Sequence, residues 1–351
     1  MAVAAPSRAA PPRISGRKQL AFALVMVLLV LAAIEGSVRA YHALRNVGSG
    51  DPEPRGYVVD DPQAGYSLKA GYTGGGIRIN SLGFRGAEIA RDKAPGVQRV
   101  VALGDSATFG PSEEECAYPF LLADLLAPRQ VEVVNAGVEG YRSDRALVHL
   151  RRDVLPLQPD VVTVFIGWND LYQTDPFVEA DQLSLRARPL TRLLTLSDAA
   201  QTFRRLFFLR FETQRADTQD GSAQTLTSYQ PAGYAQRLRE IIRTARQGGA
   251  RVLVFTWPTI LAENMTPQAI AKVHYPPYTN RLADLKALYA RYQETLRQVA
   301  AQEGVPVVDN AALFQGDKAP YFLDTAHFTC PGQALVARNV AEALVATGSV
   351  R

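Results

Sequence analysis

Four short segments of this chain hold residue types that together can do acyl-transfer chemistry: Gly104-Asp105-Ser106, Asn135-Ala136-Gly137-Val138-Glu139-Gly140, Gly167-Trp168-Asn169-Asp170 and Asp324-Thr325-Ala326-His327. They supply a hydroxyl, backbone N–H groups, a side-chain amide, a carboxylate and an imidazole, the inventory for acyl transfer through a serine nucleophile. A serine hydroxyl attacks poorly until a neighbouring base takes its proton. Histidine suits that task because its pKa lies near neutrality. A carboxylate on the other ring nitrogen fixes the tautomer and stabilises the imidazolium. The tetrahedral oxyanion then needs donors aimed at it, and losing one costs about 3–4 kcal/mol of barrier.

The elements that must position these groups can be read from the hydropathy pattern. Arg99–Leu103, Val131–Val134, Val161–Ile166, Val252–Phe255 and Val305–Val308 are short, nearly continuous apolar runs, as strands covered on both faces should be. Helical patterns lie between and after them, over Asp144–Leu155, Tyr234–Gln247, Arg281–Glu303 and Pro331–Ala346. The alternation predicts βαβ units and a parallel sheet in a three-layer α/β domain over residues 97–351. In such a sheet ligands bind beyond the carboxyl ends of the strands. Three of the four segments follow a predicted strand there, and the fourth precedes the final helix. Residues 171–232 break the alternation. Within them the basic, apolar stretch Leu190–Phe211 reads as extra packed helix, with a lid or membrane-facing flap as the functional alternative.

The blocks GDSATFG, NAGVEGY, GWND and DTAH, in that order, resemble the four signature blocks of the SGNH/GDSL hydrolases. The resemblance covers roughly residues 97–349. It implies a flavodoxin-like α/β/α fold with a five-stranded parallel sheet, and hydrolysis of esters or thioesters without a cofactor. It implies Ser106 as nucleophile, His327 as base and Asp324 as the group that orients it. The oxyanion hole would take the N–H groups of Ser106 and Gly140 and the side-chain amide of Asn169. Asp105, Asp170 and Trp168 would support the loops or line the pocket. Ala107 stands where the family often has Leu. The upstream stretch INSLGFRG looks like a segment that precedes the hydrolase domain in exported or membrane-anchored members, and no role is read for it. Bringing Ser106 and His327 together makes neighbours of the loops that carry Cys116 and Cys330. In an oxidising compartment that allows a Cys116–Cys330 disulfide, the alternative being two unpaired small residues.

Charge and composition limit the other function classes. The first 48 residues hold Arg8, Arg13, Arg17, Lys18, Arg39 and Arg45 against Glu35, so the +4 of the whole chain leaves a body of about −1. A basic face for nucleic acid has no support there. The four histidines show no ligand spacing that implies a metal. The glycines at 74–76 lack the Lys-Ser/Thr that follows in a phosphate loop. Residues 1–18 read as a disordered cytoplasmic tail, and 19–38 as a transmembrane signal anchor. The alternative is a signal peptide, for which Val38-Arg39-Ala40 is a poor cleavage site. Residues 39–96 read as a linker and N-terminal extension, with turns throughout 46–75. The positive-inside rule puts the N-terminus in the cytoplasm and the domain outside. The function read from all this is an exported, membrane-anchored serine esterase acting on an acylated glycan or small acyl ester. Lipid ester or thioester hydrolysis and sugar O-acetyl transfer are alternatives on the same site, and a non-catalytic glycan-binding protein is the alternative of another class.

Overall fold

In the computed structural model, residues 15–45, 56–174, 229–276 and 278–351 are described. The stretch Leu190–Phe211 and most of the interruption at 171–232 lie outside them. The first element of the described residues is a helix, α1 (Gly16–Arg45). Its first 25 residues, Gly16–Ala40, are long and apolar enough to cross a bilayer, which needs about 20 residues.

The main sheet has five parallel strands in the order β6-β5-β7-β8-β9. They are β5 (Gln98–Gly104), β6 (Val131–Gly137), β7 (Val161–Phe165), β8 (Arg251–Phe255) and β9 (Val307–Val308). Every residue of β7 is buried, and so is all of β5 after Gln98. This follows from their unbroken Val/Leu/Phe runs, which need apolar cover on both faces. The helices supply it. On one side α3 (Tyr118–Leu126) packs on α9 (Cys330–Ala346); on the other, α6 (Ala232–Gln247) packs on α4 (Ser143–His149) and α8 (Leu282–Glu303). The chain runs outward from β5 to β6, then returns past β5 to β7, so the order reverses between β5 and β7. In open α/β sheets such a switch point is where loops splay and ligands bind.

Two expectations shift in detail. The helix expected over Asp144–Leu155 is α-helical only to His149, then widens to a π turn at Leu150–Val154 and tightens to 3₁₀ at Leu155–Leu157. Pro156 lacks an N–H and cannot continue the α ladder. The last strand is two residues instead of four, because Pro306 likewise interrupts the run.

The larger correction concerns the extension. Residues 56–75 are no mere linker. They form a hairpin, β1 (Val58–Asp61) with β2 (Gly65–Leu68), and lead into a second pair, β3 (Thr73–Gly74) with β4 (Ile77–Arg78). Val58, Tyr66 and Leu68 are buried in the same core as the sheet. Gly71, Gly75 and Gly76 occupy turns, whereas Asp60, Asp61, Gly65 and Gly74 lie within the short strands, and the apolar alternation is too short to stand out. In INSLGFRG, the Asn80 side chain accepts from the N–H groups of Leu82 and Phe84 and donates to Ala87 O, which folds the stretch into a turn. Farther on, the fully buried Arg99 guanidinium binds the carbonyls of Ala90, Arg91 and Leu157, fixing the end of the extension beneath the sheet.

Ser106 heads a single helical turn, α2 (Ser106–Phe109), that lies directly on glycine backbone. A Cβ at Gly137 would stand 2.2 Å from Phe109 N and 2.7 Å from Thr108 C. Backbone cannot swing away as a side-chain tip does, so Gly137→Ala must displace α2 or the end of β6. Overpacking of this kind costs about 1–3 kcal/mol. Urea unfolding should show a loss in that range for Gly137→Ala, and an unchanged midpoint would mean that α2 yields freely.

Candidate active site

Ser106 is the first residue of α2, just beyond the carboxyl end of β5, with Asp105 as the one residue between strand and helix. Asp105 caps α2, its carboxylate accepting from Ala107 N–H at 3.0 Å. The Ser106 hydroxyl is 2.7 Å from His327 Nε2. On the far side of the ring, Nδ1 is 2.7 Å from Asp324 Oδ2. The other carboxylate oxygen, Oδ1, accepts from the N–H groups of Ala326 and His327, both at 2.9 Å. Asp324 thus closes a turn on its own loop while one oxygen faces the imidazole. The arrangement can pass a proton from the hydroxyl to the ring and hold the resulting charge.

The electrostatics agree with that use. Burial opposes ionisation of Asp324, but the hydrogen bond and charge of His327 and the two backbone N–H groups outweigh it and hold its pKa at about 2. Burial also works against the charged imidazole of His327. Asp324, with help from Asp105 and Glu139, overcomes this and raises the ring above its ordinary 6.5. Asp105 is the opposite case: burial pushes it up to about 7, against the Ala107 N–H and the neighbouring imidazole. Two carboxylates near one histidine are therefore set several units apart by their surroundings.

Gly140 and Asn169 follow the ends of β6 and β7, the strands paired on either side of β5. Gly140 has a φ of 73°, open to glycine at little cost, and a Cβ there would meet the Tyr66 hydroxyl at 2.5 Å. The buried Asn169 uses one amide N–H on Tyr141 O, at 3.2 Å. A primary amide has a second N–H to offer. Asn169 belongs to the short helix α5 (Trp168–Gln173), whose N-cap is Gly167, φ 145°. Trp168 is buried edge-on against Trp257, with ring centres 6.0 Å apart, so its position serves packing behind the loop. Asp170 is completely buried. It accepts from Ser143 N–H and hydroxyl and forms an ion pair with Arg237 at 3.1 Å. It holds α5 to α4 and α6 and keeps Asn169 in register.

Cys116 and Cys330 form a disulfide with Cα atoms 5.0 Å apart, joining the loop after α2 to the first turn of α9. Gln333, one turn along α9, accepts from Tyr118 N–H and donates to Ala107 O. His274 has its Nδ1 4.0 Å from Asp324 Oδ2, on the exposed rim. Residue types and spacing gave no sign of Ser143, Arg237 or Gln333. None belongs to a motif, and their importance comes from partners far away in sequence. Arg85, whose guanidinium reaches the carbonyls at the end of α2, stood inside the INSLGFRG stretch without an assigned role. Among the described residues no group of three or more His, Cys, Asp or Glu could hold a metal ion.

Similar folds occur among solved structures. The alpha/beta hydrolase enzyme LAE5, from the metagenome of Lake Arreo in Spain, is 20% identical over 72% of this chain and 96% of its own, with a TM-score of 0.46. The acetyl xylan esterase AlAXEase is 17% identical over 70% and 99%, with a TM-score of 0.43. A lipase/acylhydrolase from Enterococcus faecalis is 18% identical over 73% and 98%, with a TM-score of 0.42. No curated protein matches the sequence significantly. Residues 102–335 match the model of the GDSL-like Lipase/Acylhydrolase family, and that span runs from the strand before Ser106 to just beyond His327. The chain belongs to this SGNH/GDSL family and is a carboxylic ester hydrolase.

Proposed function

We propose that the protein is an exported serine esterase that removes an acyl group, foremost O-acetyl, from an envelope or extracellular glycan. The observation that carries the serine mechanism is the continuous contact from Ser106 Oγ through His327 to Asp324, 2.7 Å at each step. In this mechanism His327 takes the hydroxyl proton as Ser106 attacks the ester carbonyl. The N–H groups of Ser106 and Gly140 and the amide of Asn169 receive the oxyanion. His327 then gives the proton to the leaving alcohol, and water repeats the sequence on the acyl-enzyme. The His327 side chain is 42% exposed, which suits an ester displayed on a large molecule. The near-neutral body and the N-terminal apolar helix favour a substrate outside the cytoplasm.

Ser106→Ala and His327→Ala should each abolish hydrolysis and, for the serine, labelling by a fluorophosphonate. Asn169→Ala should lower kcat by about two to three orders of magnitude with little change in KM. A panel of 4-nitrophenyl esters of rising chain length, run beside acetylated sugars with and without an acceptor sugar, decides the substrate. Preference for long chains favours a lipid ester, and transfer to the acceptor favours an acetyltransferase. Retention of more than about a tenth of the activity in Ser106→Ala would overturn the mechanism, since a triad member is worth many orders.

The pH profile follows from the imidazole. His327 works as a base only when neutral, and its pKa lies above 6.5. Hence kcat/KM should rise with pH and reach half its plateau above that value. Asp324→Asn removes the strongest group that raises the ring, so the half-point should move to lower pH while kcat falls by about 10⁴. A half-point that stays in place would assign the limb to another group, Asp105 first.

We assign α1 as a retained membrane anchor with the domain outside. A reporter active only beyond the cytoplasm, fused after residue 60, should give signal. N-terminal sequencing of the mature protein should find no cleavage near Ala40 or Tyr41.

A further inference from the structure

Several of the polar groups that hold the serine loop and the Gly140 loop come from residues 57–85, ahead of the part that matches the family, beside others such as Gln333 on Ala107 O and Gln173 on Gly140 O. Arg85 is 2% exposed. Its Nη1 donates to Phe109 O and, at 2.9 Å, to Gly110 O, and its Nη2 donates to Pro111 O. The guanidinium carbon lies 4.3 Å from the centre of the Phe109 ring. The backbone of Arg85 is tied in as well, its N–H donating to Asn135 O at 3.2 Å. The Asn135 side chain returns a bond to Phe109 O.

Phe109 is the last residue of α2, so these are carbonyls that a helix cannot satisfy within itself. A four-residue helix has almost no stability of its own. It is capped at its start by Asp105, and at its end by a cation from outside the segment, where the helix dipole favours positive charge. The second loop is held in a similar way. The Tyr66 hydroxyl donates to Glu139 O at 2.6 Å, and the Tyr57 hydroxyl donates to the Glu139 carboxylate. Tyr141 returns a bond from its hydroxyl to Tyr66 O at 2.6 Å. Gly140 sits between Glu139 and Tyr141, with the Tyr66 hydroxyl filling the space where its Cβ would be. The Tyr57 ring stacks on Phe109, centres 5.5 Å apart, and so connects the two loops.

We propose that the extension is part of the catalytic apparatus: Arg85 positions Ser106 by capping α2, and Tyr66 positions the Gly140 N–H. The inference rests on the reading of Ser106 as nucleophile and Gly140 as oxyanion donor. Neither Arg85 nor Tyr66 touches substrate; both act through backbone that does. A shift of about 1 Å in such backbone can cost two orders of magnitude in rate. Substrate binding away from the reacting carbonyl should be unaffected.

The test uses the full-length protein in detergent, 4-nitrophenyl acetate as substrate and a fluorophosphonate as a probe of Ser106. Arg85→Met should lower kcat and the labelling rate together by about tenfold or more, with KM within about threefold. Arg85→Lys, which keeps the cation but not the fork of donors, should recover part of the loss. Tyr66→Phe, which deletes only a hydroxyl, should lower kcat at least threefold at a temperature where circular dichroism shows the fold intact. Should Arg85→Met not fold, Tyr66→Phe decides alone. Turnover within twofold of wild type in the folded variants, with Ser106→Ala inactive, overturns this proposal and leaves the serine mechanism standing. Activity retained by Ser106→Ala would remove the mechanism, and the proposal with it.

Discussion

Ser106 and His327 must meet at 2.7 Å although 221 residues separate them, and much of the structure is arranged around that contact. The parallel sheet accounts for half of it. It delivers the ends of β5, β6 and β7 to one edge and so gathers Ser106, Gly140 and Asn169. His327 is on no strand. It lies in a loop between β9 and α9, where Leu323 N–H donates to His327 O and Thr325 O accepts from Ile260 N–H. The remaining ties to the serine side run through side chains: Gln333 to Ala107 and Tyr118, and Cys330 to Cys116.

Three carboxylates near this contact have different surroundings. Asp324 receives two backbone N–H groups and an imidazole, which suits an ion. Asp105 is 3% exposed and caps the helix that carries Ser106 with one oxygen, so burial dominates it. Asp170 is sealed among Ser143 and Arg237 one layer below. Removing one partner from a buried pair of this kind is costly, because it strands the other charge. Asn169 therefore rests on a support that resists change.

The sheet and the four blocks were legible because each is local. An apolar run of four to seven residues or a GxND turn states its own conformation. Residues 56–85 were harder. Val58, Tyr66 and Leu68 alternate over spans too short to separate from turn residues, and Gly and Pro dominated the reading. The side chains that support the site were silent for a different reason. Arg85, Gln333 and Arg237 act on atoms 24 or more positions away, and no local pattern encodes such a partner. The break in α4 is written in the sequence as Pro156, whereas the π widening of the turn before it, Leu150–Val154, has no local signal.

The chain contains only two cysteines. Four would allow three pairings; two allow one. Cys116 is made long before Cys330, which is 214 residues farther on, and a chain is synthesised from its N-terminus. In the meantime it finds no false partner within its own molecule. Oxidation consequently needs no isomerase to choose among pairings within the chain, and a wrong bond must come from another molecule. Sparse cysteine usage thus makes the tie between the two loops a single-outcome reaction, favoured by dilution.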